Sequence, residues 1–233
     1  MKATPMPSFT KLALFDLDHT LLPLDSDYAW GEFTAAIGWT DPQVFQQRND
    51  YFYAHYKAGT LDIVEYVLFA TEAALKQGAT KSIAAHADFM STVILPAIQP
   101  IARNLLKQHQ DAGDQVIIVT ATNAFVTRPI ADALGVGELI AVDLVPDADG
   151  WITGRIQGVP SFREGKITRV EAWLTQRGLG WKDVEATFYS DSINDLALLE
   201  KVQHPIATNP DERLRAIATQ RGWRILDLFT KHP

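Results

Sequence analysis

The chain of 233 residues contains no cysteine. That excludes disulfides, thiol catalysis and cysteine-ligated zinc, and makes a cytoplasmic setting the default expectation. Cations are outnumbered as well. Lys and Arg total 21 against 28 Asp and Glu, for a net charge of −7. That balance argues against nucleic acid or an anionic membrane as the partner. No apolar stretch approaches the roughly 18 residues needed to span a bilayer. Met1 to Thr10 holds prolines at 5 and 7 but no apolar run and no small-residue cleavage site, so no signal peptide is expected. His19, His55, His86, His109, His204 and His232 show no metal-ligand spacing. No internal repeat and no low-complexity segment is present. What is there is ordinary for a folded protein: 47% hydrophobic and 21% charged residues.

Local patterns divide the chain. Lys11 to Phe15 is a short apolar run with a polar stop, the mark of a buried strand. From 25 to about 95 no strand alternation occurs. Ser26 to Ile37, Pro42 to Tyr56, Thr60 to Gln77 and Lys81 to Val93 read as helices, separated by Gly38, Asp41-Pro42, Gly59 and Gly78. After Pro96 strands and helices alternate. Helices are expected at Pro100–Asp111, Asn123–Leu134, Glu164–Gln176, Asn194–Lys201 and Pro210–Gln220. Strands are expected at Gln115–Thr120, Glu185–Ser190, His204–Asn209 and Trp223–Leu226. Leu139–Val145 and Trp151–Ile156 read as a hairpin through the turn "PDADG". "GVG" at 135–137 is a helix stop and not a nucleotide loop. The expectation is an α/β fold: a doubly wound parallel sheet with an inserted all-helical domain. The core would take 1–24 and 96–233, and the insert 25–95.

Three predicted strands end in polar residues of one kind. The first ends in Asp16-Leu17-Asp18, the second in Thr120-Ala121-Thr122, and the third in Ser190-Asp191, followed by Asn194 and Asp195. Open parallel sheets bind ligands at the carboxyl ends of their strands. If these strands are neighbours, four carboxylates crowd one crevice and raise one another's pKa values. A hard divalent cation would relieve that crowding. Mg²⁺ takes oxygen ligands, typically one or two carboxylates with water and a substrate phosphate.

Four motifs in order resemble the haloacid dehalogenase (HAD) superfamily, and within it the phosphoserine-phosphatase-like branch. They are "DLDHT" at Asp16, Thr120 closing "VIIVT", Lys166 in "REGK" at a helix head, and "SDSINDLALL" with acidic residues four apart. The helical insert between the first two motifs matches that branch's small cap. One departure is that Ser190 and Ser192 flank Asp191 where many relatives have glycine. The resemblance implies that Asp16 is a nucleophile forming an aspartyl-phosphate, and that Asp18 is the acid and then the base. It implies that Thr20 braces the loop and that Thr120 and the Ala121 N–H hold a phosphate oxygen. Lys166 would offset charge on Asp16. The implied Mg²⁺ set is Asp16, the Asp18 backbone carbonyl, Asp191, and Asp195 acting through water or by holding Lys166. Asp18 itself favours phosphoryl transfer over dehalogenation.

The resemblance also points to a substrate class. Asp25 lies nine residues after Asp16, where phosphoserine phosphatases carry an acid for the substrate amine. Asp25 and Asp27 are thus either amine contacts or helix-capping residues. Asn123 and Arg163 join the expected substrate contacts. Arg48 and Arg128 are anion contacts or surface residues. The aromatic set from Trp30 to Tyr56 is expected to be mostly insert core, with one or two rings lining a pocket. The expected enzyme is a Mg²⁺-dependent phosphomonoesterase, a monomer or small homo-oligomer. Its expected substrate is a small phosphorylated amino acid or amino alcohol, L-phosphoserine or L-histidinol phosphate. The alternatives are a phosphosugar or nucleotide phosphatase, a phosphotransferase using the same chemistry, and a silent binding module.

Overall fold

A computed structural model describes residues 10–229. The reading of the N-terminal nine residues and that of His232 lie outside the described residues. β1 (Thr10–Phe15) is followed by four helices: α1 (Ser26–Ala36), α2 (Pro42–Ala58), α3 (Ile63–Gln77) and α4 (Ala79–Phe89). A π turn at Met90–Ile94 carries α4 into the short α5 (Leu95–Ala97). Then come α6 (Pro100–Asp111), β2 (Gln115–Asn123), α7 (Ala124–Ala133), β3 (Glu138–Val142), β4 (Leu144–Pro146) and β5 (Ile152–Ile156). The last third holds α8 (Glu164–Gln176), β6 (Val184–Ser190), α9 (Leu196–Lys201), β7 (His204–Thr208), α10 (Glu212–Arg221) and β8 (Arg224–Leu226).

Six strands form one parallel sheet in the order β3-β2-β1-β6-β7-β8. Alternation along β1 explains its unbroken apolar run. Ala13 and Phe15 enter one buried cluster with Trp30, Phe89 and Ile130, while Leu12 and Leu14 enter another with Val170, Phe188 and Leu214. Both faces are covered by helices, so neither parity of the strand can be polar. Aspartates cap the first three helices of the insert: Asp25 accepts from the Asp27 and Tyr28 N–H groups. Asp41 accepts from Gln43 and Val44 N–H, and Asp62 from Val64 and Glu65 N–H. Gly59 ends α2 at φ +75°, a conformation suited to glycine.

Three expectations need correction. Leu139–Val142 is not half of a hairpin. It pairs in parallel with β2 as the edge of the main sheet, its end buried, and only Leu144–Pro146 pairs antiparallel with β5. The third helix starts at Ile63, not Thr60, because Asp62 caps it. The fourth starts at Ala79, directly after Gly78, and continues through the π turn to Ala97, past Pro96.

Candidate active site

The order β2-β1-β6 brings the three polar strand ends side by side. They open into a cavity of about 230 Å³ lined by Asp16, Asp18, Thr120, Ala121, Lys166, Asp191 and Asp195 from the sheet side. Residues from α2 and α3 face them across it.

Lys166 organises the floor. Its Nζ donates to Asp16 Oδ1 at 2.7 Å and to Asp195 Oδ2 at 2.6 Å, and it is 2% exposed. Asp195 Oδ2 also accepts from Ser190 Oγ at 2.7 Å. Asp18 points elsewhere. Its Oδ1 accepts the Ser26 N–H at 2.7 Å and its Oδ2 accepts Thr122 Oγ1 at 2.9 Å. Thr20 Oγ1 lies 3.4 Å from both Asp16 Oδ2 and Asp191 Oδ1, bridging two loops. Thr120 Oγ1 accepts the Thr122 N–H at 3.1 Å, which folds the strand end over.

Charge is out of balance here. Burial, with Asp195 and Asp18 nearby, pushes Asp16 up to about 7 despite Lys166 beside it. Burial and the charge of Asp25 push Asp18 up to about 7. Burial, then Asp16 and Asp195, holds Asp191 well above the usual carboxylate range. Burial alone would lower the Lys166 ammonium, but Asp16 and Asp195 raise it above its ordinary value. Four carboxyls thus share one ammonium. Among the described residues, no three His, Cys, Asp or Glu side chains are set to hold a metal ion. Of the two roles expected for Asp195, the geometry shows the one in which it holds Lys166. Asp195 is committed to Lys166 and Ser190, and the Asp18 carboxyl to Ser26 and Thr122. Asp16 and Asp191 remain, joined through Thr20. Two carboxylate oxygen donors in a site where carboxyls outnumber the single Lys166 ammonium suit Mg²⁺, which keeps most of its water.

Several expected contacts lie elsewhere. Asn123 does not line the cavity; its Oδ1 caps α7 by accepting the Val126 N–H, and its Nδ2 lies 3.4 Å from Asp27 Oδ1. Arg163 precedes α8 at φ +51°, with its guanidinium over Phe162 and 3.4 Å from Asn194 Oδ1, also outside the cavity lining. Arg48 pairs with Glu72, and Arg128 with Asp132 and the carbonyls of Val136 and Gly137. Asp25 does two things: it caps α1 through the Asp27 and Tyr28 N–H groups, and it lines the cavity. Asp27 is buried behind that wall. Burial, then Asp25 and Asp18, pushes it up to about 8.

Asp27 gives a pH prediction. Its folded pKa lies above its unfolded value, so the folded state holds the extra proton and stability falls as pH rises from about 4 to about 8. Asp27→Asn should therefore match the wild type near pH 4 and exceed it at pH 9 by about a few kcal/mol in urea unfolding. A second prediction concerns Gly165, one residue before Lys166. A Cβ there would sit 2.1 Å from the Pro160 carbonyl oxygen. Gly165→Ala should cost about 1–3 kcal/mol in thermal unfolding and shift Lys166.

Some site residues were not singled out in the sequence. Thr122 donates to Asp18, and Ser190 donates to Asp195 beside Lys166. Asp211 accepts the Ile193 and Leu214 N–H groups, and its own N–H donates to the Asp191 carbonyl, which fixes the fourth loop. Hydroxyls and a carboxylate at strand ends are a visible but weak signal.

Comparison with known proteins agrees with this geometry. The family model for haloacid dehalogenase-like hydrolases matches residues 13–200. The chain is 39% identical over 217 residues to a histidinol-phosphatase of Neisseria meningitidis serogroup C (strain 8013), covering 93% of this chain and 98% of that one. It is 31% identical over 226 residues to a phosphoserine phosphatase of Mycobacterium tuberculosis (strain ATCC 25618 / H37Rv), covering 96% and 72%. A solved structure of a protein of unknown function from Bordetella pertussis Tohama I superposes with a TM-score of 0.89 at 48% identity, covering 95% of this chain and all of that one. The chain belongs to the haloacid dehalogenase-like hydrolase family. Within it, the chain stands with the phosphatases, hydrolases of small phosphoric monoesters.

Proposed function

We propose that this protein hydrolyses a small phosphorylated amino acid or amino alcohol through an aspartyl-phosphate formed on Asp16. One observation carries the reading: Asp16 and Asp18 lie two residues apart in one cavity but in different hydrogen-bond environments. Asp16 faces Lys166, which keeps a carboxylate available to attack phosphorus. Asp18 sits between the Ser26 N–H and the Thr122 hydroxyl, away from the lysine, where it protonates the leaving oxygen and then takes a proton from water. The Thr120 hydroxyl and the Ala121 N–H orient the phosphoryl group. Asp16, Asp191 and the Asp18 backbone carbonyl would hold Mg²⁺, which supplies electrostatic stabilisation of the phosphoryl oxygens. Asp25 on the cavity wall would receive the substrate amine, in keeping with the substrate classes in the names of the two relatives.

We also assign 25–95 as a cap over a core of 1–24 and 96–233, working in the cytoplasm. Trp30 and Phe89 of the cap share a buried cluster with Phe15 and Ile130 of the core, and at the end of α2 the Tyr56 hydroxyl lies 2.8 Å from Ser192 Oγ and Arg213 donates to the Lys57 carbonyl at 3.1 Å. Among the described residues no helix is long and apolar enough to cross a membrane. The test is phosphate release across a panel of small phosphomonoesters, with Mg²⁺ and with chelator. Release from one amino-bearing phosphate, abolished by chelator, supports the reading. Activity indifferent to chelator, or confined to phosphosugars or nucleotides, counts against it.

A further inference from the structure

One wall of the cavity has no part in the chemistry. α2 turns residues 49, 52, 53, 56 and 57 toward it, a helical i, i+3, i+4, i+7, i+8 face. Three of those five are aromatic: Phe52, Tyr53 and Tyr56. Tyr66 from α3 and Phe162 from the loop before α8 extend the surface, with Tyr56 and Phe162 rings 6.5 Å apart. Tyr53 is 53% exposed on this face. Tyr56 is fixed in place by its bond to Ser192, a residue next to Asp191. A serine leaving group has one methylene and would leave these rings uncovered. A flat ring would cover them, and aromatic surface is worth most when it is buried against another ring.

The charges on the same wall point the same way. Among the described residues no arginine lines the cavity. Beyond the floor, Asp25 and Asp211 line it, and the Lys57 ammonium is drawn over the Tyr53 ring at 4.5 Å. A leaving-group carboxylate would meet Asp25, Asp211 and the Lys57 ammonium already engaged on the Tyr53 ring, a point charge and not a guanidinium fork. An amine would meet Asp25.

We infer that the leaving group is an amino alcohol carrying a flat aromatic ring and no carboxylate, with Tyr53 and Tyr56 as the residues that select the ring. This rests on the phosphatase reading above, and it separates the two substrate types that reading leaves together. The rings select by shape and face, so phenyl and imidazole should both be accepted.

The experiment compares four phosphates on the wild type: L-histidinol phosphate, its phenyl analogue 2-amino-3-phenylpropyl phosphate, ringless 2-aminopropyl phosphate, and L-phosphoserine. Both ring-bearing esters should exceed the ringless one in kcat/KM by about 30-fold or more. L-phosphoserine should fall at or below the ringless ester. Tyr53→Ala and Tyr56→Ala should each cut the ring-to-ringless ratio by about 5-fold or more, and Tyr56→Phe, which keeps the ring but loses the bond to Ser192, should fall between Tyr56→Ala and the wild type. A ratio near one in the wild type, or L-phosphoserine as the best substrate, overturns the inference while leaving the phosphatase reading intact. No release from any ester, p-nitrophenyl phosphate included, overturns both.

Discussion

Asp16→Asn is expected to lower phosphate release by about 10⁴-fold or more while leaving the fold intact. The amide has the shape of the carboxylate but cannot attack phosphorus. Stability should hold, because the change removes one of four crowded carboxyls as well as one partner of Lys166. The two effects oppose each other, since Asp195 still satisfies the lysine. Steady-state phosphate release and urea unfolding on the same preparations check both halves. A variant that unfolds near neutral pH would show that Asp16 is chiefly the structural counter-ion of Lys166.

Lys166→Met should produce the largest loss of stability of any single change in the cavity. It removes a fully buried ammonium and leaves the Asp16 and Asp195 carboxyls facing each other without a cation. Breaking a buried pair by deleting one partner costs about 3–5 kcal/mol. Activity should fall as well, by about 10²-fold or more, because the lysine offsets charge where it develops. The sign with pH is specific. The loss should grow as pH rises from 5 to 8 and above, because burial already pushes Asp16 up to about 7 with the lysine beside it, and losing the lysine raises it further, so ionising Asp16 costs the variant more than the wild type. Unfolding free energies at the two pH values decide this. An equal loss at both would mean that methionine is a packing fault and not an unpaired-charge fault.

Much of this was legible in the sequence because buried parallel strands announce themselves. β1, β2 and β6 are short apolar runs with both faces covered, and each ends in residues that have no reason to be polar unless they bind something. What was not legible depends on pairing across long separations. The run 139–145 reads the same as a hairpin arm or as an edge strand, and only its burial against β2 decides between them. Asp25 carries one side chain that both caps α1 and faces the cavity, so propensity could not choose. The Asp18 environment is set by Thr122, 104 residues away, and by a helix N-terminus. Tyr56 reads as one more aromatic in a helix until Ser192, 136 residues on, is seen to hold its hydroxyl.

The central claim is a covalent bond between Asp16 and phosphorus. Acid quenching during steady-state turnover, followed by mass spectrometry of the proteolysed protein, reads it directly. The account predicts one added phosphoryl group on the peptide that carries Asp16, released by hydroxylamine and missing in Asp16→Asn. A phosphoryl group on another residue, or rapid phosphate release with none on that peptide, would contradict it.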